Sequence, residues 1–279
     1  MKKMMILALS ALFFPVWSWA QPAENERIFA EASWDWRELG RGVQVGYAQL
    51  PLFESMQSIS VLRYPMHRVR TCMANDSASA SDSTSALALR HGARAAINAS
   101  YFNVTTLYPT TFVKDNRKQE GWTMPEELRR VDGVVAFKGN KVEIFHSDTL
   151  AYAVLTKGYR EAIAAGPVLL KEGVEARQDW PEGKFYTKRH PRTVIGTTAD
   201  GWVYWIVIDG RFPGQGIGTT IHETAEVARM FGLKDALNLD GGGSSVLWTK
   251  RYGAISHPYD NKRFDAFGQR IVPNIIYIR

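Results

Sequence analysis

The chain has 279 residues, is 45% hydrophobic and 22% charged, and carries a formal net charge of +6 with one cysteine. That hydrophobic fraction is ordinary for a folded protein; a single cysteine excludes an internal disulfide and a cysteine-built metal centre. The charge excess is modest and comes without a dense basic helix, finger spacing or paired aromatic motif, so the expected partners do not include nucleic acid; phosphate-bearing or acidic envelope material fits better.

Residues 1–20 read as an export signal. Lys2 and Lys3 precede an apolar run over 4–17, and Ser18-Trp19-Ala20 places small residues where a signal peptidase cuts, predicting cleavage after Ala20. The run is shorter than the roughly 20 residues that cross a bilayer, and no later segment is long and apolar enough. The expectation is a periplasmic or secreted protein with no stable membrane span after signal cleavage.

Residues 21–42 are polar with scattered Trp and Phe and read as a lead-in. Strand-like stretches follow at 43–52 and 57–64, so 21–59 is taken as lead-in and first strands, and 60–279 as the main domain. Residues 75–85, rich in Ser, Ala and Asp, read as a surface loop. It runs into a short helix over 84–91 that stops near Gly92. Residues 95–99 look like a buried strand, and 104–130 are irregular and aromatic-rich, the kind of segment that borders a site.

A hairpin is predicted at 133–138 and 141–145 around Gly139-Asn140. The apolar stretch 162–170 is interrupted by Gly166-Pro167. Residues 193–197 and 202–208 form a strand pair around Asp200-Gly201. Residues 220–231 give the clearest helix: Thr220 and Glu223 have capping-box spacing, and Gly232 stands where a left-handed C-cap falls. Ile221, Ala225 and Ala228 share a face that packs on a sheet. Residues 236–239 and 246–248 flank a glycine run, and 271–278 closes the chain as a strand. Many short strands with a few packed helices predict a single α+β domain of mixed sheets.

The strongest chemical signal is Asn238-Leu239-Asp240-Gly241-Gly242-Gly243-Ser244-Ser245. A strand ending at Leu239 delivers Asp240 to a sheet end. The three glycines lack Cβ atoms and admit positive φ, so their amides can form an anion-binding nest, with Ser244 and Ser245 adding hydroxyl donors. The alternative is an ordinary glycine-rich turn. No Lys-Ser or Lys-Thr follows to make a nucleotide P-loop, and Ser244 is not in a Gly-x-Ser-x-Gly elbow. His222-Glu223 lacks the second histidine of a zinc-protease motif.

Several separate segments together resemble the bacterial branch of the phosphodiester glycosidase family. They are Ala96-Ile97-Asn98 through Phe102, Ala165-Gly166-Pro167-Val168-Leu169, His190-Pro191-Arg192-Thr193-Val194-Ile195-Gly196, Asp209-Gly210-Arg211, the Asn238 to Ser245 block, and Arg270-Ile271-Val272-Pro273-Asn274. The likeness covers roughly residues 60–279. It implies an exported hydrolase that releases a sugar from a sugar-1-phosphodiester, in envelope or extracellular polysaccharide. Relatives commonly have glycine after the asparagine at Asn98, so Ala99 and Ser100 are expected to narrow that wall of the pocket. Ser256-His257-Pro258 departs too, where many relatives have asparagine before the proline.

Within that resemblance Asp209 and Asp240 are the candidate catalytic carboxylates. Arg192 and Arg211 are the candidate phosphate ligands, joined in binding by Asn98, Thr193, Gly241, Gly242, Gly243, Ser244 and Ser245. Secondary candidates are Glu223, which also suits a helix cap, Asn238, which also suits bracing the glycine turn, and His190, His222 and His257 for proton transfer. The sequence points to no definite cofactor; a divalent cation held by carboxylates and carbonyls stays open. Cys72 reads as an inert buried thiol. Two other functions fit these residues: a non-catalytic phosphoglycan-binding protein in exopolysaccharide assembly, and a phosphodiesterase that cleaves the P–O bond.

Overall fold

The computed structural model describes residues 20–147 and 151–279, with side chains from residue 24 onward. The export signal expected over residues 1–20 lies outside the described residues save for Ala20, and no helix among those described is long and apolar enough to cross a membrane.

The central strands are apolar at nearly every position because both their faces are covered. In the Trp202–Ile208 strand, Val203, Trp205 and Val207 enter one buried cluster. Tyr204, Ile206 and Ile208 enter another on the opposite face, which is the two-residue period of a strand expressed as two cores. This strand sits inside an eight-stranded antiparallel sheet ordered Asp35–Gly40, Val43–Leu52, Ser55–Pro65, Trp202–Ile208, Arg192–Thr197, Asp235–Asn238, Val168–Lys171, Val174–Glu175.

Two five-stranded sheets cover one face. One is ordered Lys141–His146, Gly133–Lys138, Glu161–Ala165, Val113–Asp115, Lys118–Gly121; the other Gly253–Ala254, Leu247–Thr249, Ala95–Asn98, Asn274–Ile278, Thr71–Asn75. The shared core between the three sheets includes Tyr64, Trp205, Leu237, Phe137, Ile163, Ile97 and Ile276. The Ile221–Met230 helix covers the other face of the large sheet with Ile221, Ala225, Val227 and Ala228. Its capping box is formed: Glu223 N–H donates to Thr220 Oγ1 at 3.1 Å and Thr220 N–H to Glu223 Oε2 at 2.9 Å. Gly232 follows at φ +73°, the left-handed stop. The fold is a single domain of mixed sheets with few helices, as its residue pattern implies.

Three segments differ from expectation. Residues 21–42 are part of the fold: a helix, Ala20–Ala30, is followed by the edge strand Asp35–Gly40. Phe29 and Trp34 close edge-on against Phe231, with ring centroids 4.7 and 5.3 Å away. The predicted closing strand 271–278 is two strands. Pro273 has no N–H to give a ladder, so Ile271–Val272 pairs with Asp82–Ser83, while Asn274–Ile278 runs between Ala95–Asn98 and Thr71–Asn75. The 75–85 loop is therefore tied down at Asp82–Ser83. Cys72 is buried, and burial pushes its thiol pKa up, which keeps it inert.

Candidate active site

The Asp235–Asn238 strand delivers Asp240 to the sheet end, where its main chain is clamped. Asp240 N–H donates to Ala99 O at 3.0 Å, and Asn98 Nδ2 donates to Asp240 O at 2.6 Å. Asn98 is 1% exposed and also accepts from Thr193 Oγ1 at 2.8 Å and Val246 N–H at 3.2 Å. It ties its own strand to the Arg192–Thr197 strand and to both ends of the glycine segment instead of facing ligand, and Thr193 is its partner. Asn238 donates to Tyr101 Oη and Gly166 O, each at 2.9 Å. It thus fixes the tyrosine beside the site and not only the glycine turn.

The glycine run makes a tight turn, not the open nest expected of it. Gly242 N–H donates to Pro191 O at 2.9 Å, and Ser244 and Ser245 N–H turn back onto Gly241 O and Gly242 O. The amide of Gly241 acts on the Asp240 carboxylate itself. Gly243 is roofed by the Asp260–Arg270 ion pair, which occupies the space a Cβ would take. The hydroxyls of Ser244 and Ser245 are buried, and that of Ser245 has no hydrogen-bond partner among the described residues. Ser244 still influences the Asp240 carboxylate from beside it.

Around Asp240 opens a cavity of about 300 Å³. Asp240, Gly241 and Gly242 form one wall, His190, Pro191 and Arg192 a second, and Arg211, Arg130, Tyr101 and Phe185 complete it. Burial pushes the Asp240 carboxyl up to about 6, against the opposing pull of Ser244, Arg130, Arg270 and the Gly241 amide. Asp240 is the only carboxylate among the lining residues, and three guanidiniums share the space with it.

The three arginines are held differently. Arg192, 2% exposed, spends Nε on Thr219 O at 3.0 Å and Nη2 on Phe185 O at 2.7 Å. Burial lowers its pKa to about 10. Its first duty is to tie loops to the sheet, and it lines the cavity from that fixed position. Arg130 is gripped by Glu127 through Nε at 2.5 Å and Nη2 at 2.9 Å, and lies 4.1 Å over the Tyr101 ring. Arg211 is exposed, and its guanidinium makes no ion pair or hydrogen bond among the described residues; it rests 5.1 Å from the Tyr259 ring. Its backbone is at φ +69°, a conformation a non-glycine residue adopts at a cost.

His190 lines this site, but its unpartnered ring nitrogen is sealed from it. Its Nε2 lies 3.2 Å from Lys184 O, which can only accept, so the proton belongs on Nε2. Nδ1 is buried and unpartnered. Burial, then Arg192 and Arg211, lower its pKa, so the ring is neutral at pH 7. The loop carrying Arg211 is pressed onto this histidine: a Cβ at Gly218, where φ is +89°, would fall 2.5 Å from His190 O. Gly218→Ala is therefore expected to lose about 2 kcal/mol or more of stability in urea unfolding.

Other residues singled out in the sequence lie apart from this cavity. Glu223 is a cap that also binds Arg189 at 2.6 Å. His222 is paired with Glu175 at 2.8 Å, which together with Glu226 raises its pKa to about 10. Asp209 is 1% exposed and is not among the lining residues; it accepts from Ser58 Oγ at 2.6 Å and from the His257 main-chain N–H at 2.8 Å, and its Oδ2 lies 2.8 Å from His257 Nδ1. Ala99 and Ser100 do not narrow the pocket. Both are buried, Ala99 in the core and Ser100 on Asn274 Oδ1. Arg130 and Phe185 carried no sequence signal, and Tyr101 fell only inside the segment from Ala96 through Phe102. No group of three or more His, Cys, Asp or Glu side chains among the described residues is arranged to hold a metal. In this cavity a divalent cation would meet one carboxylate and three guanidiniums, a donor set that does not suit it.

The sequence profile of the phosphodiester glycosidase family matches residues 91–279. The SPbeta prophage-derived protein YomE of Bacillus subtilis (strain 168) is 27% identical over 144 residues, covering 52% of this chain and 20% of that protein. The chain thus corresponds to about a fifth of that relative's length. The zebrafish N-acetylglucosamine-1-phosphodiester alpha-N-acetylglucosaminidase catalytic domain, auto-inhibited by its pro-peptide, superposes with a TM-score of 0.67 at 14% identity, covering 89% of this chain and 87% of that one. A hypothetical protein from Synechocystis superposes with a TM-score of 0.67 at 15% identity, covering 89% and 64%.

Proposed function

The chain belongs to the phosphodiester glycosidase family, and from that premise we propose that it hydrolyses a sugar-1-phosphodiester at the Asp240 cavity, releasing free sugar and an intact phosphomonoester. The observation that supports this most directly is the pairing of one raised-pKa carboxylate with Arg130, Arg192 and Arg211 in one cavity. A phosphodiester carries one negative charge and leaves with two. Guanidiniums fixed around the leaving oxygens favour that growth of charge.

The chemistry divides between carbon and phosphorus sides. Ionised Asp240 supplies the electron pair at the anomeric carbon, by attack or by deprotonating the water that attacks. The departing phosphomonoester has a second pKa of about 6, so it leaves without a proton donor, and one carboxylate suffices. Neutral His190 forms part of the wall beside the sugar and adds no charge there. The natural setting we propose is the periplasm or the cell exterior, after removal of residues 1–20, with phosphate-bearing envelope or extracellular polysaccharide as substrate.

The test is product identity. Residues 21–279, incubated with N-acetylglucosamine-1-phosphomethyl ester and neighbouring hexose analogues, should yield free sugar and methyl phosphate. Sugar-1-phosphate and methanol would instead identify a phosphodiesterase.

A further inference from the structure

A second cavity, of about 180 Å³, lies beside the Asp209–His257 pair and shares no lining residue with the first. Its walls are the rings of Tyr47, Tyr252 and His257 and the adjacent Asp35–Arg37 ion pair. Arg37 lies 5.2 Å over the Tyr252 ring. His257 is held rigidly: its main-chain N–H and its Nδ1 both meet Asp209, and its ring stacks on Phe264 at 3.8 Å with 7° between planes. Tyr47 joins the same network through Ser58 Oγ at 3.2 Å. Asp209 is sealed, so it acts only by fixing His257, whose Nε2 carries none of these bonds.

The two cavities are joined by touching rings. Arg211, in the first, sits on Tyr259; Tyr259 and Phe212 are 5.3 Å apart, Phe212 and Phe264 5.3 Å, and Phe264 stacks on His257 in the second. Tyr259 and Phe264 are partly exposed along this line. The chemistry of the two ends differs. The first cavity has an excess of fixed positive charge, suited to phosphate. In the second, Asp35 and Arg37 cancel, leaving flat rings with a donor–acceptor fork. Sugar rings offer apolar C–H faces to aromatic rings and vicinal hydroxyls to a carboxylate or guanidinium.

We infer that the second cavity is a saccharide-binding subsite that takes a neutral sugar of the aglycone, with the phosphate on Arg211 and the connecting chain along the Tyr259–Phe264 ridge. This rests on the hydrolase reading for the placement of the phosphate, whereas the subsite itself stands on its own walls. A phosphate-linked glycan is then preferred over a small phosphodiester.

The full chain is titrated with maltotriose, mannotriose and chitotriose, each followed by saturation-transfer NMR, alongside Tyr252→Ala and Arg37→Ala. Arg37 is on an exposed edge strand, so its replacement leaves the core intact. At least one trisaccharide should bind, and both variants should weaken it about tenfold, the scale of one lost ring or fork contact. No binding by any of the three, or unchanged affinity in both variants, overturns the subsite. In parallel, the wild type is given N-acetylglucosamine-1-phosphate esterified to methyl or to the trisaccharide that binds. The glycan ester should show a KM about tenfold lower; equal KM values overturn the aglycone assignment. Turnover of neither ester counts against the hydrolase reading, while the titration still decides the subsite.

Discussion

Asp240→Asn should lower kcat/KM by about a thousandfold or more while leaving the protein more stable at neutral pH. The two effects come from one fact: the cavity holds a carboxylate whose ionisation burial opposes, up to about 6. Because the folded-state pKa is raised above its ordinary 3.8, the stabilisation from the neutral acid is complete below about pH 4 and is lost as pH rises through about 6. At pH 8 the wild type carries an ionised group at a cost on the order of 1–3 kcal/mol, which asparagine avoids. The main-chain bonds of Asp240 to Ala99 and Asn98 remain in the variant. Wild-type activity should fall as pH drops through about 6, because the ionised form does the work. Chemical denaturation at pH 8 and at pH 4, beside a pH–rate profile, checks both halves. A variant less stable at pH 8 would make Asp240 a structural residue, and one as active as wild type would favour a binding protein.

Arg211→Ala should reduce kcat/KM about a hundredfold or more on a phosphodiester, with a stability change within about 0.5 kcal/mol. Its guanidinium has no ion pair or hydrogen bond to lose, and its exposed side chain lies in the cavity wall next to Gly242, about 3.4 Å from where a Cβ there would lie. Arg211→Gly should be equally impaired yet more stable, since glycine relieves the φ of +69°. A side chain kept in a costly backbone conformation, with only the Tyr259 ring to rest on, is the pattern expected of a ligand-binding residue. Arg192 is the contrast: its replacement removes the side-chain donor to Phe185 O and one of the two donors to Thr219 O, so lost activity there would not separate binding from folding. Steady-state kinetics and urea midpoints for the two Arg211 variants decide the matter; full activity in either removes Arg211 from the phosphate site.

What the sequence disclosed tracks how local each cause is. The Ile221–Met230 helix was legible because its capping box and its glycine stop lie within one short segment. The Trp202–Ile208 strand was legible from continuous apolarity, and Asp240 from the glycines after it. The N-terminal helix and edge strand were not, because what holds Phe29 and Trp34 is Phe231, some 200 residues away. Arg130 and Phe185 reach the cavity from segments without a motif, so only the folded chain assembles them. Asp209 and Arg211 are two residues apart, yet only the arginine reaches the Asp240 cavity. The chain turns between them, where Gly210 packs on Pro191 and Arg211 takes its left-handed conformation. The family resemblance implied a shared site for the two, and the turn separates them.

The central claim is that the bond broken is the one between the anomeric carbon and oxygen. Hydrolysis in ¹⁸O-enriched water, with products followed by mass spectrometry and ³¹P NMR, tests it at the atom concerned. The account predicts the label in the released sugar and unlabelled methyl phosphate. Label in the phosphate would mean attack at phosphorus, and Asp240 would not be a glycosidase carboxylate.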